Sequence, residues 1–417
     1  MPRLNKPPRI GLALAGGGPL GAIYEIGALC ALEESIAGLE LTGCHGYVGV
    51  SAGGFVAAGL ANGISPRELC RSFIENVGAP GDVFDPTILT RPAWGEYAQR
   101  LASLPALAAG AAFDVAFGFA SRGAVLGRLG RALPTGLLSN RTVHEHLQRV
   151  FTAPGRSNDF RALARRLVLV AVDLDSGEAM PFGVPGFDAV PISLAVQASA
   201  ALPGLFPPVE IDGRFYVDGA LRKTLHASVL LDEGLDLLIC LNPLVPYDHD
   251  ADRRKAPRSL ADERRMTRGV GGRHGEAPVS RLVDGGLPQV LSQTFRAMIR
   301  SRMELGMRHY ERAYPGTDIL LFEPDARDAN VFFSNPFSYA QRRGMAEHAY
   351  QATRQQLRAR RGALAATLAR HGLTFTPALD DAHRTLLDLR PAPRSRGQTA
   401  LRRLDEVLDD LEARLAA

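Results

Sequence analysis

The chain has 417 residues, of which 46% are hydrophobic and 22% charged, so it can bury a large core and is not an intrinsically disordered chain. Its four cysteines lie far apart in the sequence, which argues against a disulfide framework or a CxxC metal site and favours a reducing compartment. A formal net charge of +4 raises the question of a nucleic-acid partner, but only three of the 48 basic residues are lysine. We ascribe this arginine bias to genome composition and predict no nucleic-acid partner.

Short apolar runs alternate with helical patterns through the first 245 residues, which is typical of a parallel sheet covered by helices. The first run, 10–15, follows three basic residues but is too short for the apolar core of a secretory signal, so it predicts a buried strand. A helix with an apolar face follows, and 35–42 is expected to be a loop. Further strands are predicted at 47–50, 167–172, 215–217, 235–241 and 319–322.

Two segments interrupt this alternation. Residues 101–120 are almost wholly apolar, but a proline, an aspartate and several glycines weaken an interpretation as a membrane span. We expect a buried or capping helical hairpin there, with a lid that contacts a membrane as the alternative. Residues 252–273 carry eight basic and three acidic residues, which leaves the rest of the chain near neutral. This segment is predicted to be a mobile, solvated loop, with a contact to an anionic membrane as the alternative.

After about residue 285 the pattern becomes largely helical. Helices are predicted at 290–312 and 338–371, and a last one at 401–416 follows a linker rich in proline, arginine and serine.

The glycine-rich stretch AGGGPLG at 15–21 lies between the first predicted strand and the first predicted helix. Amides at the start of a helix are unpaired and lie at the positive end of the helix dipole, so this turn can hold an anion. The same stretch satisfies the dinucleotide fingerprint G-x-G-x-x-G. By itself it fits an oxyanion hole, a pyrophosphate site or a tight structural turn.

A second motif, GVSAG at 49–53, follows a predicted strand and precedes a helix of small residues. This is the context of a nucleophile elbow, in which Gly49 and Gly53 permit the sharp turn that pushes Ser51 outward. Ser51 would then lie at the N-terminus of a helix, where an oxyanion is stabilised. The motif and its context predict that Ser51 is a nucleophile.

The base for this serine is not marked by a histidine motif. The ten histidines are scattered, and none follows a convincing last strand in a loop of small residues, as a Ser-His-Asp hydrolase would require. The chain offers instead Asp218 in RFYVDGA, where a short apolar strand runs into a glycine turn. An aspartate at that point can meet a serine at the end of a neighbouring strand. A competing sequence, D-G-G, begins at Asp284, but it lies at a predicted loop-to-helix junction, so we favour Asp218.

Together these motifs resemble the patatin-like phospholipases, a family of lipid acyl hydrolases that use a Ser-Asp dyad. The resemblance covers about residues 8–245 and rests on four stretches in the right order: 16–21, 49–53, ASAALPGLFPP at 198–208, and DGA at 218–220. It implies that Ser51 is the nucleophile and Asp218 the base. The oxyanion donors would be the amides of Gly16, Gly17 and Gly18.

The resemblance also implies the fold class, an α/β protein with three layers, α/β/α, and a mainly parallel central sheet. We predict a catalytic domain over 8–325, with insertions at about 80–140 and 250–285. A helical C-terminal extension is predicted over 326–417.

Two local features bear on specificity and on metals. Leu20 stands where the family often carries arginine or lysine, which puts a preference for charged phospholipids over neutral esters in doubt. The stretch DLDSGE at 173–178 resembles part of a calcium loop but lacks the downstream bidentate glutamate, so it predicts a turn at the end of a strand and no metal site.

The predicted function is a serine acyl hydrolase that cleaves lipid esters through an acyl-enzyme, of the phospholipase A or lysophospholipase type, without a cofactor. The alternative within this class is an esterase or depolymerase that acts on neutral lipids or polyhydroxyalkanoate. A dinucleotide-dependent enzyme would leave Ser51 and Asp218 unexplained, and their presence disfavours a non-catalytic adaptor. We expect a cytoplasmic protein whose partner is a lipid or another hydrophobic ester, with peripheral membrane contact as an open alternative.

Overall fold

A mixed, mostly parallel sheet of eight strands forms the centre of the molecule in the computed structural model, which describes residues 7–78, 81–84, 86–116, 130–248, 282–328, 331–332 and 338–387. The strands of this part of the chain are β1 (Ile10–Leu14), β2 (Ile36–Ala37), β3 (Gly46–Val50), β4 (Arg166–Asp173), β5 (Ala179–Phe182), β6 (Val209–Ile211), β7 (Arg214–Asp218), β8 (Leu237–Leu241), β9 (Asp318–Phe322) and β10 (Thr374–Phe375).

The strand order is β6-β7-β4-β3-β1-β8-β9, and β5 pairs with β4 outside this path. The pairs from β4 through β3, β1 and β8 to β9 are parallel, whereas β5, β6 and β7 join antiparallel at one side. A separate antiparallel pair is formed by β2 and β10.

The α-helices of the described residues are α1 (Gly18–Ser35), α2 (Ala52–Ala61), α3 (Pro66–Leu69), α4 (Trp94–Ala116), α5 (Arg141–Phe151), α6 (Ile192–Ser199), α7 (Ser228–Leu231), α8 (Gly286–Ala313), α9 (Tyr339–Ala359) and α10 (Arg361–Arg370). A single π turn, Cys70–Ile74, follows α3 directly.

Helices cover both faces of the sheet, which explains why its central strands are continuous apolar runs rather than alternating ones. On one face, Val48, Val50 and Val170 pack in a core with Leu230 of α7 and Ile299 of α8. The other face is covered by α2 and α6, and α1 packs against both α2 and α9. This three-layer arrangement confirms the predicted fold class.

The sheet register sets the level at which the candidate site residues lie. Val50, the last residue of β3, pairs with Val170 of β4. One residue further along β4, Ala171 pairs with Asp218, the last residue of β7. The ends of β3 and β7 are therefore at the same level of the sheet, separated by a single strand.

The predicted strands are all present, with bounds that differ by one or two residues. The expectation of a plain loop at 35–42 is wrong at Ile36–Ala37, which pair with a distant strand of the C-terminal region. The helix predicted at 338–371 is two helices, because the chain breaks at Arg360. The predictions at 252–273 and 401–416 lie outside the described residues.

The apolar segment 101–120 forms the greater part of α4 up to Ala116, and its last residues lie outside the described part. The expectation of burial is wrong, because most of its side chains are exposed, among them Leu101 at 65% and Phe113 at 57%. Among the described helices, none has the length and apolarity needed to cross a membrane.

Candidate active site

Ser51 lies between β3 and α2 with φ 54° and ψ −123°, a backbone conformation that is uncommon for a residue with a side chain. Close packing enforces the turn. A Cβ atom on Gly53 would lie 2.5 Å from the carbonyl oxygens of Leu14 and Ala15, so only glycine fits there. The turn is strained, and it presents Ser51 at the N-terminus of α2.

Asp218 ends β7 and is 3% exposed, while Ser51 is 5% exposed. Its carboxylate Oδ1 accepts a 2.9 Å hydrogen bond from the amide of Ala220, and its own amide donates to the carbonyl of Ala201 at 3.0 Å. The carboxyl group is thereby fixed at the level of the serine and is almost completely removed from solvent.

Burial raises the pKa of the Asp218 carboxyl to about 6. The hydroxyl of Ser51 and the amide of Ala220 act in the opposite direction, because both can donate a hydrogen bond to the ionised form. Ser51 and Asp218 are therefore close enough to influence one another. A carboxylate with a pKa of about 6 is a stronger base than an ordinary aspartate and is still ionised at neutral pH.

The glycine turn lies beside the serine, between β1 and α1. A Cβ atom on Gly16 would be 3.0 Å from the Cβ of Ser51 and 3.4 Å from that of Ala220. In the part of the chain that the structure describes, the amides of Gly16, Gly17 and Gly18 donate to no protein acceptor. Free amides beside a serine, at the positive end of α1, can stabilise an oxyanion.

One positioning residue was missed by the sequence interpretation. Ser199, the last residue of α6, accepts a 2.8 Å hydrogen bond from the amide of Ser51 and donates one of 2.6 Å to the carbonyl of Val170. It lies within 198–208, one of the four stretches on which the family resemblance rests. Its role, however, depends on the approach of α6 to β4.

A second missed group is Glu25 of α1, which is fully buried. Burial raises the pKa of this carboxyl group well above its ordinary value, and the nearby backbone of Ala15 opposes this shift. Burial therefore favours the neutral form of Glu25. In the sequence, the one sign of this group is a charged residue among the apolar residues of the predicted helix.

Three further residues have other surroundings: one of the ten histidines, the aspartate that begins the predicted turn at 173–178, and the competing aspartate at 284. His226 is buried, and burial lowers its pKa to about 3, so its ring is neutral. Asp173 accepts hydrogen bonds from the amides of Asp175 and Ser176, which confirms the predicted turn. Asp284 lies in a short 3₁₀ turn before α8, and its side chain lies outside the described part.

No group of three or more histidine, cysteine, aspartate or glutamate side chains among the described residues is arranged to hold a metal ion.

Comparisons with solved structures find two proteins with low similarity to this chain. VipD from Legionella pneumophila is similar in structure, with 17% identity and a TM-score of 0.37 over 85% of this chain and 67% of that one. The type III effector ExoU has 15% identity and a TM-score of 0.30 over 90% of this chain. A second structure, of ExoU in complex with SpcU, gives its organism as Pseudomonas aeruginosa. The match spans only 57% of ExoU.

A family model described as patatin-like phospholipase matches residues 12–231, which include the glycine turn, Ser51 and Asp218. This region is more than half of the chain. The chain belongs to the patatin-like phospholipase family, whose members are lipid acyl hydrolases.

Proposed function

We propose that this protein is a serine acyl hydrolase of the phospholipase A or lysophospholipase type that works through a Ser51–Asp218 dyad. The observation that carries the proposal is the placement of a strained serine beside a buried aspartate whose pKa burial raises to about 6. The free amides of Gly16, Gly17 and Gly18 support it, since an acyl transfer needs donors for the developing oxyanion.

The reaction proceeds in two steps. Asp218 accepts the proton of the Ser51 hydroxyl as Oγ attacks the ester carbonyl carbon, and the glycine amides donate to the tetrahedral oxyanion. When the C–O bond to the alcohol breaks, the leaving oxygen takes the proton from Asp218. A water molecule then attacks the acyl-enzyme, Asp218 accepts its proton, and the collapse of the second intermediate releases the fatty acid and returns the proton to Ser51.

The test is the loss of esterase activity in Ser51→Ala and in Asp218→Asn, measured with p-nitrophenyl esters. Each variant should lose at least about 1,000-fold in kcat while it keeps its circular dichroism spectrum. Wild-type protein should react with a fluorophosphonate probe, and mass spectrometry should find the label on Ser51. His226→Ala is the control, and a loss in this variant as large as that in Asp218→Asn would replace the dyad by a triad.

The second candidate, an esterase or depolymerase for other hydrophobic esters, is favoured by Leu20. This side chain is half-buried beside the glycine turn, where it offers no positive charge to a lipid phosphate. A panel of neutral lipids, lysophospholipids and phospholipids separates the two candidates. If the phospholipase assignment holds, phospholipids are cleaved by the wild type, and Leu20→Arg increases this activity further relative to that on neutral lipids.

We also propose a peripheral contact with a lipid surface, made by α4. Its exposed apolar side chains include Trp94 and Leu101, which are 71% and 65% exposed. Hydrogen bonds join the residue before this helix to the segment that follows Ser199: the amide of Ala93 donates to the carbonyl of Leu137, and the amide of Leu138 donates to the carbonyl of Leu205. A lipid surface that covers the start of α4 would therefore lie near the segment that follows Ser199.

Vesicle sedimentation tests this contact. Leu101→Glu should reduce the bound fraction on phosphatidylcholine vesicles, because a charge is costly to bury among acyl chains. Leu287→Glu is the matched control, since Leu287 is similarly exposed, at 69%, on α8. Equal binding by both variants would exclude α4 as the contact. The cytoplasmic location remains a prediction of the sequence.

A further inference from the structure

A cavity of about 310 Å³ lies against α2, outside the residues assigned above. Its volume is at the lower end of the range for ligand pockets. Much of its wall is apolar and comes from α2, α3, α5 and the segments between them, with the side chains of Phe55, Ile64, Leu69, Phe84, Leu147 and Phe151.

The cavity begins one helical turn from the candidate nucleophile. Phe55 donates its amide hydrogen to the carbonyl of Ser51 at 3.3 Å, and a rise of 1.5 Å per residue separates the two by about 6 Å along α2. Ala52 and Phe55 are the half-buried residues of this helix, and Gly59 continues the same face one turn later. This face of α2 therefore runs from the end at Ser51 to the wall of the cavity.

Aromatic side chains give one wall a fixed shape. Phe55 packs against Phe73 and Phe84 with ring centroids 5.2 and 5.5 Å apart, and Phe73 stacks on Phe84 at 5.3 Å. The π turn Cys70–Ile74 contributes Arg71 and Ser72 to the lining. Turns of this kind are rare in proteins, and many of those that occur lie at functional sites.

The polar groups of the lining are largely compensated within the protein. Asp82 and Arg156 form an ion pair at 2.7 Å, and the carboxylate of Glu68 accepts a hydrogen bond from the hydroxyl of Ser65. His146 on α5 is buried against Phe84, and burial lowers its pKa to about 4, so its ring is neutral. An apolar ligand therefore meets no uncompensated buried charge at these groups.

We propose that this cavity binds the acyl chain of the ester whose carbonyl carbon reacts at Ser51. The inference rests on the proposed function and extends it, since it makes the wall formed by α2 and α5 the part of the protein that sets acyl-chain length. An alkyl chain is a suitable ligand for this apolar wall, because its burial is favourable in proportion to the apolar area removed from water. The methyl end of the chain then points away from Ser51 along α2.

The experiment is a chain-length series of p-nitrophenyl esters, from butyrate to palmitate, on the full-length protein. Val150→Phe fills the cavity from α5, and Ser72→Phe fills it from the π turn. Gln148→Phe is the matched control, because Gln148 is exposed on α5 and does not line the cavity. The readout is the ratio of kcat/KM on long and short esters, which does not depend on the fraction of active protein.

In the two filled variants this ratio should fall about fourfold for each methylene group that the phenyl ring displaces. Gln148→Phe should keep the wild-type ratio.

An unchanged ratio in both filled variants overturns the inference. So does a variant that keeps the ratio but no longer binds a fluorescent free fatty acid, since the cavity then serves a separate lipid. If the wild type hydrolyses no ester of any length and is not labelled by fluorophosphonate, the proposed function fails, and the inference fails with it.

Discussion

The amide of Ser51 donates a 2.8 Å hydrogen bond to the hydroxyl of Ser199, which lies 148 positions later in the chain. The same hydroxyl donates to the carbonyl of Val170 at 2.6 Å. Ser199 thereby connects the turn that carries the candidate nucleophile to β4, the strand that separates it from Asp218. The strained conformation of Ser51 is held in part by this hydrogen bond.

Ser199→Ala should lower both stability and turnover. The buried amide of Ser51 loses its acceptor, which should cost about 1–3 kcal/mol in the free energy of unfolding. Because the nucleophile is then less precisely held, kcat should fall about 10- to 100-fold. Ser193→Ala is the control, since Ser193 is buried on the same helix but forms its hydrogen bonds with Asn158. Urea unfolding and p-nitrophenyl ester kinetics measure the two effects, and equal turnover in both variants would contradict a positioning role for Ser199.

Gly16→Ala should reduce activity by about 100-fold, comparable to the loss of one oxyanion donor in other hydrolases. The new methyl group would lie 3.0 Å from the Cβ of Ser51, so the glycine turn and the serine must move apart. Gly344→Ala on α9 has open space around the added methyl and serves as the control. This control should keep full activity and gain about 0.5–1 kcal/mol of stability, because glycine is unfavourable within a helix. Full activity in Gly16→Ala would show that the turn does not bind the oxyanion.

The pH dependence of kcat/KM should have a single acidic limb with an apparent pKa of about 6, the value to which burial raises the pKa of Asp218. Asp218 must be ionised to accept the serine proton, so activity should fall about tenfold for each pH unit below this value. His226 makes no contribution above pH 4, because burial lowers its pKa to about 3. The measurement is ester hydrolysis between pH 4 and 9 with a substrate that does not titrate. A limb near pH 4 would mean that the base is an ordinary, solvated carboxylate.

The same carboxyl group should make the stability of the protein depend on pH in the direction opposite to its activity. Because burial raises the pKa of Asp218 from 3.8 to about 6 in the folded state, the folded protein binds more protons than the unfolded chain between these values. The contribution of this group is therefore full below pH 4 and is lost as the pH rises through 6, by about 3 kcal/mol.

Asp218→Asn removes this titration. The difference in unfolding free energy between Asp218→Asn and the wild type should shift in favour of the variant by about 3 kcal/mol between pH 4 and pH 8. Urea unfolding at both pH values measures it, and other titrating groups cancel in the difference. A difference that does not change with pH would mean that Asp218 is solvated in the folded protein.

The sequence by itself determined six of the ten strands of the described residues, the family resemblance and the identity of most candidate site residues. Each of these depends on local chemistry. Apolar runs of strand length predict β1, β3, β4 and β8, because a strand covered on both faces needs no polar residues. Glycines at 49 and 53 mark the elbow, because only glycine permits so tight a turn.

Only the tertiary structure decided how these pieces meet. Asp218 reaches Ser51 across an intervening strand, because β7 joins the sheet antiparallel to β4 with Asp218 paired to Ala171. The hydrogen bonds of Ser199, the burial that raises the pKa of Asp218 and the pairing of Ile36–Ala37 with Thr374–Phe375 all join residues distant in sequence. A single sequence carries no record of such contacts, because burial and register arise from the packing of the whole chain rather than from any local pattern.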